Sequence, residues 1–277
     1  MTTRLLGAML YVTGAALAQQ QRELGKGVNF YSIEKEVALG NQLAAQFRRD
    51  TRSVESAGAQ AYLNGIGQRL AAQMGGPAFT YQFALVADDP GALHEVAAFP
   101  GGFLFVPSSL ILSVKDEDEL AGMVARAIAH VASRDGTRQA TRAQLENMAS
   151  IPLVFAGGWT GYAVRESQSQ AIPLGMLQGL RTSELDADRL AARTMEALGY
   201  DPAALARYIE RVQPPDTAQP RAGAALPQRS QRVEAIRAVI ASLPAQTYGP
   251  HEGLEKVQEE VRRLTARTPK APPTLAK

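Results

Sequence analysis

The sequence predicts a mostly helical α+β domain with a small antiparallel sheet and one long core helix, and three features of its 277 residues lead there. Apolar side chains recur at three- and four-residue spacing over most of the chain, the period of a helix that buries one face. Two short stretches break that rhythm; they are rich in aromatic and β-branched residues and bounded by Gly, Pro and Asp, as strands are. DEDELAGMVARAIAHVAS, residues 116–133, opens on acids and continues almost wholly in apolar residues and Ala, so its helix belongs deep in the core.

Taken in order, residues 30–50 place Ile33, Val37, Leu43, Ala44 and Phe47 near one helical face, with Glu34 and Glu36 early and Arg48 and Arg49 late. That polarity suits the helix dipole. A second helix over 56–74 aligns Tyr62, Leu63, Ile66, Leu70 and Met74, and Gly75-Gly76-Pro77 stops it. A strand over 79–86 closes on Asp88-Asp89-Pro90-Gly91, and GGFLFVP at 101–107 forms the next. Following each other directly, the two read as antiparallel neighbours, and Gly101-Gly102 permits a tight turn or close backbone approach. A short helix over 108–114 leads into the long one. Residues 150–177, with Gly157, Gly158, Trp159 and Gly161, read as irregular and partly mobile. Helices follow over 182–198 and from Ala203, after Asp201-Pro202.

This divides the chain into a polar leader (19–29), a main domain (30–212), a Pro-rich linker (213–228), C-terminal helices that pack on the domain (229–265) and a disordered tail (266–277). Ahead of them, Arg4 precedes LLGAMLYVTGAALA, which ends in Ala16-Leu17-Ala18. This predicts a signal peptide (1–18) cleaved after Ala18 and an exported, periplasmic or cell-envelope protein. The apolar run is shorter than the roughly 20 residues of a membrane span, and an uncleaved amino-terminal anchor is the alternative. With 29 Lys and Arg against 27 Asp and Glu, the charge balance gives no reason to expect nucleic acid as a partner. The absence of Cys excludes disulfides, thiolate metal ligands and a Cys nucleophile.

The chemistry centres on the middle of the long helix, which reads Arg126-Ala127-Ile128-Ala129-His130. In His-Glu-x-x-His, two histidines four residues apart share one helix face and one zinc ion. The Glu after the first is the general base, and a Glu from another helix commonly completes the site. Only the second histidine of that pattern stands here, and on spacing alone His130 reads as an ordinary buried histidine sooner than as a ligand.

Its surroundings carry more. EVAAFPGGFLFV, EDELAGMVARAIAHVASRDGTRQ and ELDADRLAARTMEALGYDP occur in that order, with EKEVALGNQLAAQF and AYLNGIGQRLA upstream. These resemble the NAFALPGGYIFV, ENELAGVLAHEIAHVxxRHGxRQ and ExEADRLGxxLMxxAGYDP segments of metallopeptidase family 48, from about residue 30 to about residue 210. The family comprises zinc endopeptidases, among them the CAAX prenyl protease, HtpX and periplasmic quality-control proteases. The resemblance implies a zincin-like (gluzincin) fold. It puts His130 at the second zinc histidine, Glu184 at the glutamate ligand, and Asp188 where an acid supports that ligand from behind. Arg126 stands at the first histidine and Ala127 at the general base. Asp135 stands where the family often has His, and Glu95 where it usually has Asn. Substrate backbone would pair with an edge strand formed by Gly101, Gly102, Phe103 and Phe105.

A guanidinium stays protonated and offers no lone pair, and alanine accepts no proton, so ligand and base are both missing. No cofactor is expected on this reading. Arg126 is expected to reach across to Glu184 and replace the lost cation, with His130 or Asp188 joining; the alternative is independent drift, each residue satisfied locally. The resulting function is an exported pseudopeptidase that binds polypeptide substrates or envelope partners in protein quality control. Two alternatives stand: an active metalloendopeptidase holding Zn2+ through a substitute ligand such as His94, and a structural envelope component. A peripheral membrane contact remains open. His251 reads as a solvated turn residue, and Ser108 and Ser109 show no His and Asp partners in sequence.

Overall fold

The helix starts follow from local capping. In the computed structural model, which describes residues 24–88, 94–145, 174–216 and 227–266, α1 (Ile33–Asp50) begins where Ser32 Oγ accepts from the Lys35 N–H at 3.3 Å. Helix α2 (Ala57–Met74) begins likewise at Ser56, and Gly75 closes it. The residues expected to form a signal peptide, nearly all of those expected to be irregular (150–177), the middle of the expected linker and the end of the chain fall outside the described residues.

Between these helices lies β1 (Arg52–Ser53), and after them come β2 (Gln82–Ala87), β3 (Ala97–Phe99) and β4 (Phe103–Pro107). The sheet is mixed rather than antiparallel. Its order is β1-β2-β4-β3, and β2 runs parallel to β4, with Gln82 opposite Phe103 and Val86 opposite Pro107. The reason is a third strand that the sequence did not announce. The chain leaving β2 first makes β3 at the far edge and then returns as a hairpin into β4, which slots between β3 and β2. Gly101 and Gly102 make that hairpin turn at φ 78° and 104°, and a Cβ on Gly102 would sit 2.9 Å from the Thr80 carbonyl oxygen. The expected edge strand is therefore corrected: Phe103 and Phe105 belong to an interior strand paired on both sides and are buried, and β3 forms the edge.

Helix α3 (Ser108–Ser113) leads to α4 (Glu117–Ala132), which Asp116 caps and which packs against α2, α6 (Leu174–Ala197) and α7 (Ala203–Val212), with β3 alongside. Every residue from Leu120 to Ala129 is buried. Helix α4 stops at a left-handed Arg134 (φ 56°), whose guanidinium donates to Glu36 and to the Tyr31 carbonyl, both at 2.6 Å. An unexpected helix, α5 (Asp135–Leu145), follows at once. Helix α6 starts at Leu174 rather than 182. Helix α8 (Arg229–Ser242) packs on α6 and α7, and α9 (Leu254–Ala266) on α2 and α3. Among the described residues, no helix is long and apolar enough to cross a membrane.

Candidate functional site

Where α4 crosses α6, Arg126 lies 3% exposed in the middle of an apolar helix. No backbone acceptor is open to it there, because each mid-helix carbonyl already serves the helix. Its guanidinium instead meets three acids from two other places in the fold. Nη2 donates to Glu184 Oε2, Nε to Asp188 Oδ1 at 3.1 Å, and Nη1 to Glu95 Oε2 at 3.1 Å. Glu184 and Asp188 sit one turn apart on α6, so both face α4, while Glu95 enters from the segment just before β3.

A second guanidinium completes the cluster. Arg232 of α8, 1% exposed, donates through Nε to Asp188 Oδ2 and through Nη2 to Asp188 Oδ1, each at 2.8 Å, and through Nη1 to Gln213 Oε1 at 3.0 Å. Asp188 is thus clamped bidentately on one side and singly on the other. Burial pushes the Glu95 carboxyl up, against the pull of Arg126 and Arg232. For Arg126, burial works against the charge, but Glu95, Glu184 and Asp188 outweigh it and hold the proton more firmly than usual.

His130 lies one turn along α4. Its Nδ1 is 2.8 Å from Asp135 Oδ2, and its Nε2 is buried without a hydrogen-bond partner, 3.7 Å from Glu184 Oε2. Burial alone would lower its pKa, yet the nearby Glu184 charge and the bond to Asp135 raise it to about 9. Ala127, 4% exposed, puts only a methyl group beside Arg126.

This donor set does not fit a catalytic zinc ion. Such an ion takes three protein ligands and leaves one position open for water. Here Glu184 is hydrogen-bonded by a guanidinium, His130 is the one imidazole of the set, and Arg126 offers only donors. Among the described residues, no group of three His, Asp or Glu side chains is arranged to hold a metal.

Of the residues singled out in the sequence, Arg126, His130, Glu184 and Asp188 come together, and Asp135 joins through His130. Gly101, Gly102, Phe103 and Phe105 instead serve the hairpin and the sheet interior. The His94 backbone oxygen accepts from Tyr208 Oη at 3.2 Å, while its Nδ1 is buried without a partner. Ser108 and Ser109 both bond Asp88, which caps α3. His251 is not a freely solvated turn residue: its Nε2 is 3.3 Å from Asp118 Oδ1 and its ring is 4.5 Å from that of Tyr200. Two members of the central cluster escaped sequence reasoning, Glu95 as a partner of Arg126 and Arg232 altogether. A signal for Arg232 was present, because it falls on the apolar stripe of α8 with Ile236 and Val239.

A long buried helix whose midpoint faces acids of a second helix, beside a small mixed sheet, is the layout of the zincin-like peptidases. The chain belongs to peptidase family M48, whose model matches residues 57–240. It is 26% identical over 188 residues to the beta-barrel assembly-enhancing protease of Escherichia coli K12, covering 65% of this chain and 38% of that protein, and equally so to that of Yersinia pestis. A protease HtpX homolog of Nostoc punctiforme is 31% identical over 120 residues, 37% of this chain and 40% of that protein. The chain thus spans less than half the length of these relatives.

Proposed function

We propose that this chain is a non-hydrolytic M48 protein in which a buried guanidinium has replaced the zinc ion as the cation joining α4 to α6, and that it binds polypeptides in cell-envelope protein quality control. The observation that carries this reading is the bonding of Arg126 to Glu184, Asp188 and Glu95 in one buried cluster. The methyl group of Ala127 adds to it, since water activation requires a base at that point. Without that cation, the buried acids would lose the charge they share, a penalty of roughly 3–5 kcal/mol. The signal-like amino terminus supports export, and the similarity to the beta-barrel assembly-enhancing proteases of Escherichia coli and Yersinia pestis supports a place near β-barrel assembly. Peptide capture is assigned to β3, the sheet edge two residues beyond Glu95.

Metal analysis of the purified protein, paired with casein hydrolysis, tests the first half. The expected result is no stoichiometric zinc and no cleavage. Restoring both missing groups, Arg126→His with Ala127→Glu, is expected to bring zinc binding and chelator-sensitive cleavage. Wild-type protein that holds zinc lost on Glu184→Ala, and that cuts casein, overturns the reading. For the second half, a urea-denatured β-barrel protein diluted into the wild type is expected to be retained by it; absence of binding removes the polypeptide role.

A further inference from the structure

On the far side of His130 from the Arg126 cluster, a cavity of about 560 Å³ opens between α5 and α6. Four arginines line it: Arg138 and Arg142 from α5, and Arg189 and Arg193 from α6. Of its two carboxylates, Asp135 engages His130 at 2.8 Å and Asp186 neutralises Arg189 at 2.8 Å, so the four guanidinium groups still outnumber the acids of the lining. The whole chain carries a net charge of only +2, so this positive excess is local. Guanidinium groups converging on a polar concavity match the oxygens of a phosphate group.

A second, independent feature surrounds the same place. Among the described residues, three large hydrophobic side chains are exposed, and all three flank α5: Val28 at 72%, Phe30 at 53% and Leu145 at 62%. The amino-terminal segment is held along α5 by Asn29, which donates to Thr137 at 2.8 Å, and by the Phe30 N–H, which donates to Thr141 at 2.9 Å. Leu145 follows Thr141 by one helical turn. Arg138 comes so near this segment that a Cβ on Gly27 would lie 3.4 Å from it. Exposed apolar side chains along the same helix as a cationic pocket are the composition of a surface that seats on anionic lipid, with the apolar groups entering the headgroup boundary and the cations meeting phosphates.

We propose that the α5 face is a docking surface for an anionic phospholipid membrane, with a lipid phosphate held by Arg138 and Arg142 and with Val28, Phe30 and Leu145 inserted. The site meets the Arg126 cluster only through Asp135 and His130, and it does not depend on whether that cluster is catalytic. Sedimentation of the full chain with vesicles tests it. Mixed phosphatidylglycerol and phosphatidylcholine vesicles are expected to carry the protein down, and pure phosphatidylcholine vesicles to leave it in solution. Each guanidinium near the surface is worth about five-fold in binding, so Arg138→Gln with Arg142→Gln is expected to weaken it about thirty-fold. Phe30→Ser with Leu145→Ser is expected to weaken binding while preserving its salt dependence, because only the apolar part is lost. In the wild type, raising salt is expected to release the protein, a reading that needs no variant. Equal binding to neutral vesicles, or no salt dependence, overturns the proposal. So does binding of soluble pyrophosphate or polyglutamate at this face by a protein that ignores the vesicles.

Discussion

Helix α4 buries charge at two places, and it does so by opposite means. At its first turn Glu117 is 5% exposed and accepts from two phenols, Tyr62 Oη at 2.6 Å and Tyr200 Oη at 2.9 Å, while the exposed Arg69 stands 3.7 Å off. The unpaired N–H groups and positive dipole end of the helix do the rest. Burial, and then Glu117 itself, raise the pKa values of both phenols, so they remain donors. Nine residues on, near the middle of the same helix, Arg126 has no such local help. It is stable only because Glu95, Glu184 and Asp188 are delivered to it from elsewhere, with Arg232 bracing Asp188. A charge at a helix end is largely a local matter, whereas a charge in a helix middle is a statement about the whole fold.

The comparison is broken most severely by Arg126→Met. It leaves three buried acids without their shared cation and should lower stability by roughly 3–5 kcal/mol in urea denaturation, with Arg126→Met plus Glu184→Leu recovering a measurable part. A loss below about 1 kcal/mol would show that the cluster is not held by charge. Next in size is Arg232→Met, expected to lose about 2–4 kcal/mol, since Asp188 keeps one guanidinium. Amide exchange should then quicken in α8 before it does in α4.

The two ends should also titrate in different windows. His130 has its pKa raised from 6.5 to about 9, so its contribution to stability is full below the lower value and lost as pH rises through the higher. Stability measured from pH 6 to 10 should therefore fall, and His130→Gln should flatten the curve. At the first turn, burial chiefly raises Asp118 from 3.8 to about 6, so its contribution disappears in that lower window, and Asp118→Asn should remove that slope alone. Smallest of all, Glu117→Gln should cost about 1–2 kcal/mol, because the amide oxygen still accepts from one tyrosine, while the bond to the other and the charge beside the helix dipole are lost.

The helices of this molecule were legible because their apolar periodicity and end residues are local properties: Ser32, Ser56 and Asp116 each cap the helix that follows. What escaped depended on distant contacts. Helix α5 was hidden because Ser-Arg-Asp-Gly reads as a stop, and the left-handed Arg134 that separates it from α4 is held by Glu36 and Tyr31, about a hundred positions away. The three-residue β3 was too short to announce itself, and without it the sheet looked antiparallel and β4 looked like an edge.

By itself, the sequence determined the mostly helical class, the long apolar helix and the presence of a guanidinium and a methyl group where a metal ligand and a base would stand. Those are properties of residue type and spacing, which no folding event alters. Only the tertiary structure decided that Glu95 and Arg232 share the cluster with Arg126, that β3 and not β4 forms the sheet edge, and that arginines and exposed apolar side chains gather around α5. Each of these is a meeting of segments far apart in the chain, and such meetings are fixed by packing, where a buried charge must find its counter-charge wherever the fold supplies it.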